Sequence, residues 1–67
     1  MSVAKVIEIS CQSTKSFDDA IEDGIRRASK TVKDIKNAWV AGQQVDVRDG
    51  EVVRYRVNLK VTFVLGD

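Results

Sequence analysis

The sequence predicts an α+β domain whose elements follow in the order strand, helix, strand, strand. Three observations support this prediction: apolar residues at helical spacing in the first half, an Asp-Gly pair between two β-rich runs, and a final segment in which apolar and polar residues alternate. Proline is absent from the 67 residues, and the sequence contains no internal repeat. We therefore expect one domain over residues 1–67.

The first predicted strand covers residues 3–10, VAKVIEIS, because this run is rich in apolar and β-branched side chains. The segment that follows, CQSTKS, is polar and typical of a connector. It contains the single cysteine, Cys11, which has no histidine partner and only Lys15 as a basic neighbour. We expect Cys11 to act as a small hydrophobe rather than as a nucleophile.

A helix is predicted over about residues 17–32. Its apolar or small residues recur three and four positions apart, which places them on one stripe: Phe17, Ala20, Ile21, Gly24, Ile25, Ala28 and Val32. Ser16 precedes the stripe and Asp19 lies three positions on, which is a capping-box arrangement. Glycine costs up to about 1 kcal/mol relative to alanine inside a helix, so Gly24 on the apolar stripe indicates a close approach to the sheet.

The second half of the chain is predicted to be a β-hairpin. Asp49 and Gly50 lie between two β-rich runs, and this pair favours a type I′ turn because both positions take positive φ angles. A two-residue turn there pairs Arg48 with Glu51, so the numbers of opposed residues sum to 99. The last strand then has one apolar side, formed by Val53, Tyr55, Val57, Leu59, Val61, Phe63 and Leu65.

This register places the only tryptophan, Trp39, directly opposite Lys60 on the face turned away from the helix. On the helix side it pairs Ala38 with Val61, Val40 with Leu59 and Gly42 with Val57. On the side of Trp39 it pairs Asn37 with Thr62, Ala41 with Asn58 and Gln43 with Arg56. A β-bulge between Trp39 and the turn would move the indole to the helix side.

The polar surroundings of Trp39 leave two interpretations open. In the first, the indole packs against the stem of Lys60 or against a neighbouring subunit, as amphipathic aromatic residues do at interfaces. In the second, it forms one wall of a site for a planar ligand. Only the second interpretation makes this face a binding site.

Composition excludes several classes of function. With 11 Lys and Arg against 10 Asp and Glu, the net charge is +1, so the strongly basic surface of a nucleic-acid-binding protein is missing. The chain has no histidine, and one cysteine forms neither an internal disulfide nor a zinc site. There is no signal-peptide pattern and no apolar run of bilayer length, so we expect a cytoplasmic protein without membrane contact.

Catalysis is not predicted. The sequence has no Ser/His/Asp set, glycine-rich phosphate loop or metal motif. Asp18 and Glu22 lie on the solvated side of the predicted helix, where a charged surface is the ordinary alternative to a divalent-cation site. A core of this size supplies about 3–5 kcal/mol, so we expect partner subunits to stabilise the fold.

Four features follow one another along the chain: KVIEI, RASKTV, the tryptophan and DGEVVRYRVNLKVTFVL. Together they resemble the dodecin family. The resemblance covers nearly the whole chain. Its most specific part is YRVNLKVTFVL, beside a family pattern of Tyr, Gln, Val, any residue, Leu or Met, Lys, Val, any residue and Phe. It implies a non-enzymatic protein in which a three-stranded antiparallel sheet partly wraps one helix and twelve copies form a hollow spherical homododecamer.

The resemblance also implies where a flavin would bind. In flavin-binding dodecins, pairs of flavins stack between tryptophans of two-fold related subunits, and a glutamine of the last strand bonds the ring system. An ungapped alignment of RASKTVKDIKNAWV puts Asn37 at the position of that tryptophan and Trp39 at the position of a glutamate. Arg56 replaces the glutamine. Trp39 lies about 6–7 Å along the strand from Asn37 on the same face, where it is placed to wall a shifted pocket.

We therefore expect a homododecamer that stores or sequesters a flavin-type planar cofactor, whether FMN, FAD or riboflavin. Trp39 would be the stacking wall and Arg56 a donor to a carbonyl or phosphate, with Gln43 and Asn37 on the same face. The alternative is a dodecin that has lost flavin and acts as a structural or divalent-cation cage. A calcium-binding subgroup likewise lacks the tryptophan and has arginine near the glutamine position. No acidic residue of this chain is assigned to a metal.

Overall fold

The computed structural model describes residues 3–66, and the ends of the predicted domain, residues 1, 2 and 67, lie outside them. Its elements are β1 (Val3–Ser13), α1 (Phe17–Ala28), β2 (Ile35–Arg48) and β3 (Glu51–Leu65). They form one three-stranded antiparallel sheet in the order β1-β3-β2. The predicted β-α-β-β fold is therefore confirmed, and β3 is the central strand.

Strand β1 is longer than predicted. Cys11, Gln12 and Ser13, which the sequence analysis placed in a connector, pair with Val57, Arg56 and Tyr55 of β3. The prediction was wrong because polarity marks a loop only where the backbone has no partner, and here the long central strand supplies one.

Helix α1 begins where the sequence predicts and ends earlier. Ser16 has extended backbone angles and its hydroxyl accepts a hydrogen bond from the amide of Asp19 at 2.9 Å. The Asp19 carboxylate does not complete the capping box, because it accepts a 2.6 Å hydrogen bond from the Ser13 hydroxyl. At the other end the helix stops at Ala28, since the amides of Lys30 and Thr31 bond carbonyls three residues back.

Ser16→Ala is expected to lower the free energy of unfolding by about 1 kcal/mol, because it leaves a first-turn amide without its acceptor. Chemical denaturation at a fixed protomer concentration measures this loss. Ser29→Ala is the matched control: its hydroxyl bonds the Ile25 carbonyl at the solvated end of the same helix. If both variants lose the same stability, the Ser16 cap is not the cause.

The i,i+4 spacing of acidic and basic residues predicts ion pairs from Glu22 to Arg26 and from Asp23 to Arg27, and α1 follows this prediction only in part. Asp23 forms the expected ion pair with Arg27, at 3.1 Å. Arg26 pairs with Asp23 at 3.4 Å rather than with Glu22, so that prediction was wrong. All of these groups are well exposed, and such pairs contribute little to stability.

The core lies between α1 and the strands β1 and β3. Its buried residues are Cys11, Ala20, Val57, Leu59 and Val61. The apolar side of β3 therefore faces the helix, as predicted. Strand β2 is different, because the helix packs mainly on β1 and β3 and leaves most of the same side of β2 uncovered, apart from Ile35, which packs against the core. Val40, expected under the helix, is 44% exposed.

α1 approaches β1 closely at Gly24. A Cβ atom built there would lie 3.0 Å from the Cβ atom of Cys11 and would overlap its Sγ atom. The predicted close approach is confirmed, and the partner is the buried cysteine.

The protomer is elongated. Its Cα radius of gyration is 13.8 Å, whereas a globular chain of this length has about 11 Å. Val45, Val47 and Val52, near the hairpin turn, are exposed. Within residues 3–66, no helix has the length and apolar character that crossing a membrane requires.

Candidate ligand-binding face

Trp39 lies opposite Lys60, as predicted. The pairing between Trp39 and the turn nevertheless contains two irregularities. Val53 is an extra residue on β3 and Ala41 an extra residue on β2, and the two shifts cancel. Trp39 therefore keeps the predicted face, because the number of bulges is even and they lie on opposite strands.

We call the side of the sheet turned away from α1 the outer face. On β1 it carries Glu8, Ser10 and Gln12, and on β3 it carries Arg54, Arg56, Asn58, Lys60 and Thr62. On β2 it carries Asn37, Trp39, Gly42, Gln44 and Asp46. Along each strand these positions alternate with the residues that face the helix, and across strands they oppose one another, so they share one side.

An open strip lies beside Trp39 on the outer face. Trp39 is 48% exposed, whereas Lys60 opposite it and the adjacent Asn58 and Thr62 of β3 are partly buried. Gly42 occupies the next outer-face position of β2 towards the turn, opposite Asn58, and a Cβ atom built there meets nothing within 4 Å. Because Gly42 has no side chain, the strip has a backbone floor and Trp39 stands at one end of it.

Asn37 lies on the outer face beside Trp39, and Gln43 does not. Asn37 is opposite Thr62, as the sequence analysis predicts. Gln43 was expected opposite Arg56, but it lies opposite Val57, which is buried against the helix. The Ala41 bulge advances β2 by one residue, and the residue opposite Arg56 is therefore Gln44. The pairings predicted for Gly42 and Ala41 are wrong for the same reason.

Arg56 is held by Asp46. Its Nε atom donates to both oxygens of the Asp46 carboxylate at 3.1 Å, and its Nη2 atom lies 3.0 Å from Oδ2. Arg54, directly opposite Asp46, approaches the same carboxylate at 3.5 Å. The hydrogen bond from Arg56, reinforced by both positive charges, holds the pKa of Asp46 below its usual value. The same hydrogen bond and the Asp46 charge raise the pKa of Arg56.

Lys60 is a second cation on this face. It lies on the central strand between Glu8 of β1 and Trp39 of β2. Among residues 3–66 its ammonium forms no ion pair with a carboxylate. An unpaired ammonium beside an exposed indole suits a planar ligand that carries carbonyl oxygens or an anionic group.

The two cavities described within residues 3–66 lie elsewhere. One, of about 380 Å³, is between α1 and β1, where Ile9, Gly24 and Arg27 are among its lining residues. The other lies beside residues 31–34 and 63–66. Trp39 lines neither, so a single protomer gives a planar ligand one wall. A closed site on the outer face requires a second copy.

The described part of the protomer has neither a cluster of metal-binding side chains nor an activated thiol. Residues 3–66 contain no group of three or more acidic or cysteine side chains that could hold a metal ion. Cys11 is buried in the core, and its burial, together with the nearby charge of Asp23, raises the pKa of its thiol. A raised pKa disfavours the thiolate, in line with the structural role predicted for Cys11.

Three residues of this face, namely Gly42, Gln44 and Asp46, were not predicted from the sequence. A signal for them was present. In the predicted register, the numbers of opposed residues sum to 99, so Val45 would oppose Arg54 and Asp46 would oppose Val53. Each of these pairs would place an apolar residue opposite a charged one. A shift by one residue gives Val45 with Tyr55 and Asp46 with Arg54, which is the observed register.

Comparison with known proteins identifies the family. The family model described as dodecin matches residues 3–66. The calcium dodecin of Mycobacterium tuberculosis is 38% identical over 63 residues, which are 94% of this chain and 89% of that protein.

Two solved structures are also similar. The dodecin from Streptomyces davaonensis is 30% identical, with a TM-score of 0.94 over 98% of this chain and 97% of that one. The crystal structure of the calcium-chelating calcium dodecin of M. tuberculosis is 35% identical, with a TM-score of 0.84 over 97% of this chain and 93% of that one. Family model, sequence and fold agree over almost the whole chain, which belongs to the dodecin family.

Proposed function

We propose that this chain is a non-enzymatic dodecin whose homododecamer binds and sequesters a flavin-type planar cofactor on the outer face. The observation that supports this most directly is the half-exposed Trp39 at the end of the open strip over Gly42. An exposed indole beside free space is the arrangement that a stacked aromatic ring needs.

Each residue of the proposed site has a separate task. Trp39 stacks on the ring system. Lys60 and the Nη1 atom of Arg56, which has no hydrogen bond to Asp46, are placed to donate to ring carbonyls or to a phosphate. Asn37 supplies a short polar edge where the family has its stacking tryptophan. We infer binding without turnover, since within residues 3–66 no hydroxyl or amine of this face is hydrogen-bonded to a carboxylate that could activate it.

The proposal includes the second copy. With one wall per protomer, a flavin bound to Trp39 would be covered by the equivalent face of a two-fold related subunit. The elongated shape and the exposed valines of the hairpin support association, because a small core gains stability from burying such surface. Twelve chains of 7.5 kDa give a particle of about 90 kDa.

Titration of riboflavin into the purified protein tests the proposal, with flavin and Trp39 fluorescence recorded together. We expect mutual quenching that saturates. Trp39→Ala should weaken binding about tenfold to a hundredfold, since stacking on an aromatic side chain is worth about 1–3 kcal/mol.

Arg26→Ala is the matched control, because Arg26 is exposed on the surface of α1, away from the outer face. Light scattering should give the same particle mass for the native chain and both variants. No quenching by the native chain at micromolar concentration would contradict the flavin proposal.

A second function is favoured by one observation, the 38% identity to a protein named calcium dodecin. In this alternative the cage binds calcium. Since residues 3–66 of one protomer contain no cluster of metal-binding side chains, the ion would lie between copies. A thermal shift with calcium that EDTA reverses, in a protein that does not quench riboflavin, would favour this alternative.

A further inference from the structure

Asp46, Arg54 and Arg56 form a compact charge cluster on the outer face. The Asp46 carboxylate lies 3.0–3.1 Å from Arg56 and 3.5 Å from Arg54. Two guanidinium groups thus share one carboxylate, so the cluster has a net positive charge. Its side chains are each about one-third to one-half exposed, which keeps the cluster within reach of a ligand from solvent.

This cluster has more N–H donors than the Asp46 carboxylate accepts hydrogen bonds from. Two guanidinium groups carry ten N–H bonds, and the contacts to Asp46 use Nε and Nη2 of Arg56 and one long contact from Arg54. A phosphate monoester has three acceptor oxygens and a charge of about −1.5 to −2 near pH 7. The charge and acceptor oxygens of such a group match the N–H donors of Arg54 and Arg56 better than the single carboxylate of Asp46 does.

The position of the cluster relates it to Trp39. Arg56 and Lys60 are four residues apart on β3, and Lys60 lies opposite Trp39. The cluster is therefore roughly 13 Å along the sheet from the Trp39–Lys60 pair. Gly42 leaves the strip between them open. A ring stacked on Trp39 and carrying a flexible phosphorylated chain towards the turn would bring its phosphate to the arginines.

We propose that Arg54 and Arg56 form a phosphate-binding subsite in which Asp46 is a resident counter-ion that an incoming phosphate must displace. Asp46 thereby sets the preference between phosphorylated and unphosphorylated forms of the ligand. The assignment to a phosphorylated flavin rests on the proposed function, whereas the anion site itself does not.

The test uses Asp46→Asn in the full-length chain, which keeps the side-chain shape and removes the charge. The ratio of FMN affinity to riboflavin affinity, measured by flavin quenching, should rise about tenfold relative to the native chain, the change expected when one charged hydrogen-bond competitor is removed. Asp23→Asn is the matched control, because Asp23 also holds two arginines but on the helix surface. It should leave the ratio unchanged.

A second measurement is independent of flavin. Inorganic phosphate is titrated into Asp46→Asn and the native chain while the Nε–H resonance of Arg56 is followed by NMR. A saturable shift that is stronger in Asp46→Asn supports the subsite even if riboflavin does not bind, and in that case only the flavin proposal fails. An unchanged FMN-to-riboflavin ratio with riboflavin bound, or no phosphate-dependent shift in Asp46→Asn, overturns the subsite.

Discussion

Gly24→Ala is expected to lower the free energy of unfolding by about 1–3 kcal/mol. Helix propensity alone predicts the opposite, since alanine inside a helix is favoured over glycine by up to about 1 kcal/mol. Packing decides the sign here. The added methyl would lie 3.0 Å from the Cβ atom of Cys11 and overlap its Sγ atom, and Cys11 is fixed in β1 by its pairing with Val57. Neither the helix nor the strand can move without disturbing the core.

A double-mutant cycle identifies the cause. Cys11→Ala alone should destabilise the protein by leaving a cavity, but it removes the sulfur that the new methyl meets. Gly24→Ala should therefore cost less in the Cys11→Ala background than in the native one, and this difference is the coupling free energy. Gly42→Ala is the matched glycine control, because a Cβ atom there meets nothing within 4 Å. Equal costs of Gly24→Ala in both backgrounds would contradict the explanation.

Local patterns predicted the elements because their signals depend on neighbouring residues. The Asp-Gly pair fixes the turn through two positive φ angles, which Asp49 and Gly50 have at 52° and 77°. The apolar stripe fixes the buried side of α1, and Ala20 on that stripe is fully buried. The alternation in β3 likewise marks its buried side. None of these inferences needs contacts between distant parts of the chain.

The candidate site was harder to predict because it depends on register. One bulge alone would have placed Trp39 on the helix side, and the correct face results from two shifts that cancel. Between the two bulges the alignment differs by one residue, so Gln43 was placed on the wrong side and Asp46 was not recognised as the partner of Arg56. Turn geometry sets the register at the turn, whereas bulges further along respond to packing on both faces.

Gly42→Phe is expected to abolish saturable quenching of riboflavin at micromolar protein, which corresponds to a loss of affinity of about a hundredfold or more. The phenyl ring would fill the open strip and occupy the indole face of Trp39 in place of the ligand. The fold should tolerate the change, since the position has open space and phenylalanine is favoured in strands. Flavin fluorescence measures the loss, and light scattering verifies that the assembly persists.

The Ala41 bulge determines which face of the sheet a side chain at position 42 occupies. Without the extra residue, Gly42 would oppose Val57 and face the helix side, and a bulky side chain there would not reach the outer face. With it, Gly42 opposes Asn58, on the same face as Trp39 and Arg56.

Gly42→Ala, which adds only a methyl to the strip, should retain most of the binding. If Gly42→Phe binds riboflavin as the native chain does, the ligand does not use this strip. The cavity between α1 and β1 would then be the next site to examine, with Gly24 and Arg27 among its lining residues.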